Sequence, residues 1–199
     1  MRRGMTKADV VSMTKEMITR QGMRGIRVDD IAQHAGMSKR TLYEMFGNKT
    51  NLFKSCLEEL WEEYKQKIAE YVEQDEAPVI DKIFRLLDTY INGLYVMDHE
   101  FVVDISRCVE FKYVSDSHID FWSQIFVKML RWGISQGYFL RESNIELIVR
   151  NLVATAFEFR VQGRLSQQEQ YSLACCFLRG CAAPEGIEWI DRQRDRRTA

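Results

Sequence analysis

VDDIAQHAGMSKRTLYEMF, residues 28–46, is the stretch that decides the fold. Ile31 and Ala32 fall on the inner side of a short helical segment, and the small Ala32 lets a second helix cross closely. Gly36 supplies the positive φ of a tight turn between them. Ser38 then caps the second helix, where Leu42 and Phe46 lie four residues apart and can pack back on Ile31. Lys39, Arg40, Thr41, Tyr43 and Glu44 are left around the outer face and the N-terminal end. A helix so furnished presents donors to the major groove of duplex DNA.

Upstream, Val10, Met13 and Met17, with Val11 and Ile18 beside them, predict a helix from Thr6 to Gln21, which Gly22 and Gly25 end. Downstream, Asn48 caps a long helix through KTNLFKSCLEELWEEYKQKIAEYV; at about 1.5 Å per residue it would be roughly 40 Å long, enough to act as a mechanical link from head to body. Asp75 to Pro78 breaks the pattern, and Pro78 suits the first turn of a fifth helix running to Met97. Shorter helical patterns follow, roughly from Glu100 to Val114 and from Ser117 to Gln136, with Gly137 closing the second. Ser143 with Glu146, and Ser166 with Glu169, read as capping boxes that open two more helices, to about Gln162 and Ala182. The tail EGIEWIDRQRDRRTA is dense in arginine and is expected to fray. No stretch shows the β-branched alternation of a strand. The fold class is therefore all-α. A three-helix helix-turn-helix head (1–48) is joined by the long helix to an all-helical body (49–199).

Composition agrees with a packed protein of 199 residues, 46% hydrophobic. No run approaches the roughly 18 apolar residues of a membrane span, and MRRGMTKADVV lacks the apolar core of a secretory signal. The expectation is a soluble, cytoplasmic chain with no membrane partner. The five cysteines, Cys56, Cys108, Cys175, Cys176 and Cys181, show neither a Cys-x-x-Cys pair nor a Cys/His series. They are expected to be reduced, with no metal site and no cofactor. The formal net charge of −1 hides an asymmetry, since residues 1–54 carry 11 Lys/Arg against 5 Asp/Glu. A basic head on an acidic body is the electrostatic footprint of a nucleic-acid reader, although a chance surface imbalance gives the same count.

Gly22, Val28, Ile31-Ala32, Ala35-Gly36, Ser38, Thr41-Leu42-Tyr43, Phe46, Lys49 and Leu52 stand in the order and spacing of the TetR-type regulators, which the chain resembles over residues 10 to 53. The rest matches only in length, helical content and helix order. The resemblance implies a homodimer whose second helices enter successive major grooves of a palindromic double-stranded operator. It also implies a body that binds a small-molecule effector and thereby weakens DNA binding, most commonly giving a repressor. Carried over residue by residue, Tyr43 and Lys49 become phosphate contacts, Lys49 aided by the positive end of its helix. Ser38, as cap, and Lys39, Arg40 and Thr41 become the group nearest base edges or phosphates. Two departures stand out: Arg40 replaces the family's small residue before Thr41, and Arg27 replaces its Ser/Thr cap before Val28. Arg40 could thus read guanine, and Arg27 meet a phosphate, with Asp29 and Asp30 offsetting the missing cap. Against these stand plainer roles: Tyr43 packing on helix 1, Glu44 pairing with Lys39 or Arg40, and His34 as a plain surface histidine.

In the body, aromatic residues at helical spacing are mostly core. From them Trp61, Tyr64, Phe84, Tyr95, Phe111 and Trp122 are expected to wall an effector cavity, which hints at an apolar or aromatic ligand. Ile145, Ile148, Leu152 and Phe159 on one late helix, and Leu173, Phe177 and Leu178 on the next, are expected to form a four-helix dimer interface; the alternative is that one face packs within the monomer only. His99, Glu100 and Asp104, or His118 and Asp120, match no zinc or two-carboxylate template, so a helical enzyme is disfavoured. A chromosome-organising DNA binder without an effector shares every feature of the head.

Overall fold

A computed structural model of the chain describes residues 5–74, 77–141 and 144–198. Ten helices and no strand occur among the described residues: α1 (Lys7–Gln21), α2 (Val28–His34), α3 (Lys39–Phe46), α4 (Lys49–Gln74), α5 (Val79–Val96), α6 (His99–Arg107), α7 (Lys112–Ser135), α8 (Ile145–Gln162), α9 (Gln167–Gly180) and α10 (Pro184–Thr198). The all-α architecture read from the sequence is the one observed. The residues fall into two compact units. One takes the chain up to Glu73 with Met97–Ser115; the other takes Gln74–Val96 and the chain from Asp116 onward.

In the first unit the head closes around its own apolar residues. Thr6 caps α1 in a box with Asp9, and Gly22, at φ 68°, ends it. Val10, Ile18, Ile26, Ile31, Leu42, Leu52 and Leu57 are all nearly inaccessible to solvent. The α4 helix is tied to α1 at two levels: the Cys56 thiol donates to the Val11 carbonyl (3.6 Å), and Lys15 Nζ meets Glu59 and Glu63 at 3.0 and 2.6 Å. Through Glu73 the long helix thus groups with the head. Asn48 caps it as expected, its Oδ1 accepting from the Asn51 amide at 2.8 Å.

Helix α6 also belongs to the first unit, and its limits differ from expectation. Asp98 caps it, and it ends at Cys108, whose backbone is extended. The next helix begins at Lys112 and runs straight through the expected break between Val114 and Ser117. Ser115 is accommodated there because its hydroxyl donates to the Lys112 carbonyl at 2.8 Å, satisfying itself within the helix.

The second unit is built on α5, α8 and α9. Ile145, Val149, Val153, Phe157 and Val161 form the buried spine of α8, and Gln170, Ala174 and Leu178 that of α9. Tyr90 on α5 donates to the Val153 carbonyl at 2.8 Å, and its ring lies 5.0 Å from that of Trp122, which is stacked on Phe126 at 5.6 Å. Ser166 and Glu169 form the expected capping box. Ser143 lies outside the described residues; α8 is capped instead by Asn144, whose side chain accepts from the Leu147 amide.

The tail is a correction. Instead of fraying, Pro184 opens α10, as its fixed φ and missing N–H allow. The helix is anchored by Ile190 (3% exposed), by Trp189 against Phe84 (4.8 Å), and by a two-pronged pair of Arg179 with Asp191 (2.8 and 2.9 Å). Its start is clamped by backbone bonds Leu140 N–H to Cys181 O and Ala183 N–H to Tyr138 O, both 2.9 Å.

Candidate nucleic-acid interface

The turn from α2 to α3 is made by Gly36 at φ 61°, a conformation costly for residues with a Cβ. Ile31 and Ala32 on α2, and Leu42 and Phe46 on α3, are buried, which fixes the rotation of α3 about its axis. The Ser38 hydroxyl accepts from the Thr41 amide at 3.1 Å and lies 2.9 Å from the Thr41 hydroxyl. With the N-terminus closed in this way, Lys39, Arg40, Tyr43 and Glu44 are exposed and Thr41 is half-exposed.

Each charged group on that face has a defined partner. Lys39 Nζ sits 2.6 Å from Asp29 Oδ1 on α2. Arg40 Nε donates to Glu44 Oε1 at 2.9 Å, with the Arg40 side chain 89% exposed. Tyr43, 45% exposed, borders a shallow recess with Val28, Leu42 and Lys49, so its ring packs at one edge while the rest faces outward. Of the plainer roles anticipated for this face, Glu44 does pair with Arg40; the recess that Tyr43 borders is lined by residues from α2 through α4 rather than by α1.

Two flanking residues differ from simple expectation. Arg27 stands exposed at the N-cap of α2, where its side chain makes no cap; its backbone N–H donates to Asp30 Oδ2 at 2.9 Å, so Asp30 supplies half of a capping box from the far side. Lys49 is half-buried, its Nζ 4.9 Å above the Phe53 ring and 3.5 Å from the Met23 carbonyl. Burial holds its ammonium below the ordinary lysine range, against the opposing fields of Asp104 and Asp30. His34 is bound to its own helix, Nδ1 2.7 Å from the Asp30 carbonyl.

An ion pair that the sequence did not signal ties the head to α6. Arg24, in the loop after α1, places Nε 2.6 Å from Oδ1 of Asp104, which is 2% exposed, and Nη1 3.5 Å from Glu100. Burial raises the Asp104 carboxyl above the usual range even though the Arg24 charge opposes the shift. Arg24 lies between two glycines outside any periodic pattern. Asp104 reads from sequence as one more polar residue on an amphipathic helix.

The six residues expected around an effector divide three and three. Trp61, Tyr64 and Phe111 belong to the first unit, and Phe84, Tyr95 and Trp122 to the second. Trp61 and Tyr64 stack on each other on α4 at 5.6 Å. Phe84 and Trp122 are buried in side-chain packing, and the Tyr95 hydroxyl donates to the Leu165 carbonyl at 2.5 Å with Arg160 over its ring. Of the expected dimer residues, Ile145 and Leu178 (each 3% exposed) belong to the monomer's own core, because they sit on the buried spines of α8 and α9. Leu173 (37%) and Phe177 (50%) remain exposed, Ile148, Leu152 and Phe159 are half-buried, and Leu147 (59%) is an exposed neighbour that spacing alone did not single out.

All five cysteines are free thiols, and no cluster of metal-ligating groups occurs among the described residues. No helix there is long and apolar enough to cross a membrane. Residues 10–56 match the family described as "Bacterial regulatory proteins, tetR family". Over 175 residues the chain is 25% identical to the HTH-type transcriptional regulator YvaF of Bacillus subtilis, covering 86% of each. It is 21% identical over 157 residues to the HTH-type transcriptional repressor KstR2 of Rhodococcus jostii, covering 76% of each. The transcriptional regulator FadR from Bacillus subtilis, solved in complex with stearoyl-CoA, shares the fold at 19% identity and a TM-score of 0.61, over 87% of this chain and 96% of that one.

Proposed function

We propose that the chain, whose residues 10–56 match the TetR family, is a DNA-binding transcriptional regulator of that type: a homodimeric repressor, released from a palindromic operator when a small apolar or aromatic molecule binds its body. The observation that carries this reading is the disposition of α3. Leu42 and Phe46 are buried, Ser38 closes the N-terminus, and Lys39, Arg40 and Tyr43 face outward on a head of strongly positive charge.

In this reading residues 1–48 read DNA, and residues 49–199 dimerise and sense the effector. Thr41, Lys39 and Arg40 approach base edges. Tyr43, Arg27 and Lys49 take phosphates, Lys49 by leaving Met23 and Phe53 as the phosphate replaces them. Ser38 holds the end of the helix in shape. One short helix offers few contacts, so two copies are needed, with half-sites about 34–36 Å apart or a multiple. Leu147, Leu173 and Phe177 offer an exposed apolar face on α8 and α9 that a second copy would cover. The grouping of α4 with the head supports a mechanism in which an effector in the body alters α4 and with it the separation of the two α3 helices. The named ligand of the fold relative FadR supports a small-molecule effector as a class. The chain's roles as regulator rather than enzyme and as a cytoplasmic protein follow from the same reading.

The test is selection of binding sites by the purified protein from a random double-stranded library at about 150 mM salt, where sequence-independent binding is screened. Recovery of a palindrome supports the reading. Purely salt-sensitive, sequence-independent binding overturns it in favour of a chromosome-organising role. A compound series that leaves operator affinity unchanged at fixed salt would count against the effector.

A further inference from the structure

The two cations at the start of α3 are held by carboxylates in different ways. The Lys39 ammonium is a single compact charge, and Asp29, 2.6 Å away, competes directly with whatever else that ammonium would bind. Arg40 is different. Glu44 engages only its Nε, at 2.9 Å, one helical turn on, and both terminal nitrogens stay free on a side chain 89% exposed. A guanidinium held by Nε has its plane and direction fixed while its outer fork still points away from the protein. That fork matches guanine O6 and N7 in the major groove. Glu44, 61% exposed on the same face, brings a negative charge to the neighbouring position. There it accepts from the amino groups of cytosine or adenine and repels the acceptor edges of guanine and thymine.

We propose that Arg40 and Glu44 act as one reading unit, in which Glu44 is a positioning residue that aims the Arg40 fork at guanine and itself biases the adjacent base toward cytosine or adenine. The proposal rests on the reading of α3 as the element that enters the major groove. An exposed pair four residues apart contributes little to stability, so its removal leaves the fold intact and the DNA readout interpretable.

The experiment is site selection followed by competition binding at fixed salt, on the full-length wild-type protein and on Glu44→Ala, Glu44→Gln and Arg40→Lys, with helicity compared by circular dichroism. The wild type should select guanine at one position in each half-site. Glu44→Ala should lose about two- to fivefold of that guanine preference, and lose the bias at the adjacent position, while its affinity for random-sequence DNA stays equal or rises because a negative charge has gone. Glu44→Gln keeps an acceptor for Nε and should retain most of the guanine preference while shifting the neighbouring bias away from cytosine and toward adenine, whose N6 and N7 an amide can engage together. Arg40→Lys should lose the guanine preference. A Glu44→Ala protein with the wild-type motif, or one weakened equally on every sequence, overturns the proposal. A wild-type protein that selects no motif overturns the functional reading on which it rests, and the proposal with it.

Discussion

Replacing Arg24 by Gln should destabilise the protein more than replacing Asp104 by Asn, although both remove the same ion pair. Asp104 is 2% exposed and its carboxylate sits 2.6 Å from Arg24 Nε, whereas the Arg24 side chain is 64% exposed. Removing one member of a buried pair leaves an uncompensated charge, at a cost of about 3–5 kcal/mol where both groups are buried. Solvent already screens Arg24, so about 2 kcal/mol is expected for Arg24→Gln. Asp104→Asn removes the buried charge itself and should cost about 1 kcal/mol or less. The double variant should be more stable than Arg24→Gln alone. The sign with pH follows from the same balance. Burial raises the Asp104 carboxyl above its unfolded value near 3.8, so its folded form favours the proton. That contribution is fully present below the unfolded value and is lost as pH rises through the folded one. Arg24→Gln raises it further, so its deficit should be larger at pH 7 than at pH 5. Urea denaturation of the three variants at both pH values measures this. Equal costs for the two single changes, or a deficit independent of pH, would refute the reasoning.

Burial holds the His118 imidazole neutral, its pKa lowered from 6.5 to about 4. Its contribution is present above about pH 6.5 and is lost as pH falls toward 4, roughly 3 kcal/mol in all, so denaturation of His118→Phe between pH 7 and 4 should show a flatter acid limb than the wild type. Gly186→Ala places a Cβ 2.2 Å from the Tyr138 carbonyl oxygen. Helix propensity alone would make this change stabilising by up to about 1 kcal/mol, so a fall in melting temperature of several degrees identifies the clash as decisive. Phe177→Asp, at a half-exposed site on α9, should shift the species seen by analytical ultracentrifugation from dimer toward monomer while far-ultraviolet circular dichroism is preserved; an unchanged dimer places the interface elsewhere.

Most of the head was legible because its signals are local. A cap, a glycine at positive φ and two apolar residues four apart define α2 and α3 almost completely, and the structure keeps those roles for Ser38, Gly36, Leu42 and Phe46. What the sequence left open depends on contacts between distant residues. The tail looked like a charged, fraying segment because its charged residues outnumber its apolar ones. Yet Ile187, Trp189 and Ile190 were enough to dock it once Phe84 and the 138–140 backbone were in place. The aromatic residues of the body could not be sorted by spacing, since Trp122 in a packed cluster and Trp61 on a half-exposed helix face have the same periodicity. Likewise, Ile145 and Leu178 are indistinguishable in pattern from Leu173 and Phe177, and only the packing of α8 and α9 against α5 separates core from surface.

The central claim is that two copies of α3 read a specific duplex. Its most direct test is a titration at about 150 mM salt of the full-length protein against the selected operator and against a scrambled duplex of the same length, with the stoichiometry determined on the operator. A preference of about a thousandfold or more, with two chains bound per palindrome, is the predicted result. Equal affinity for both duplexes, or a single chain saturating the operator, would contradict it.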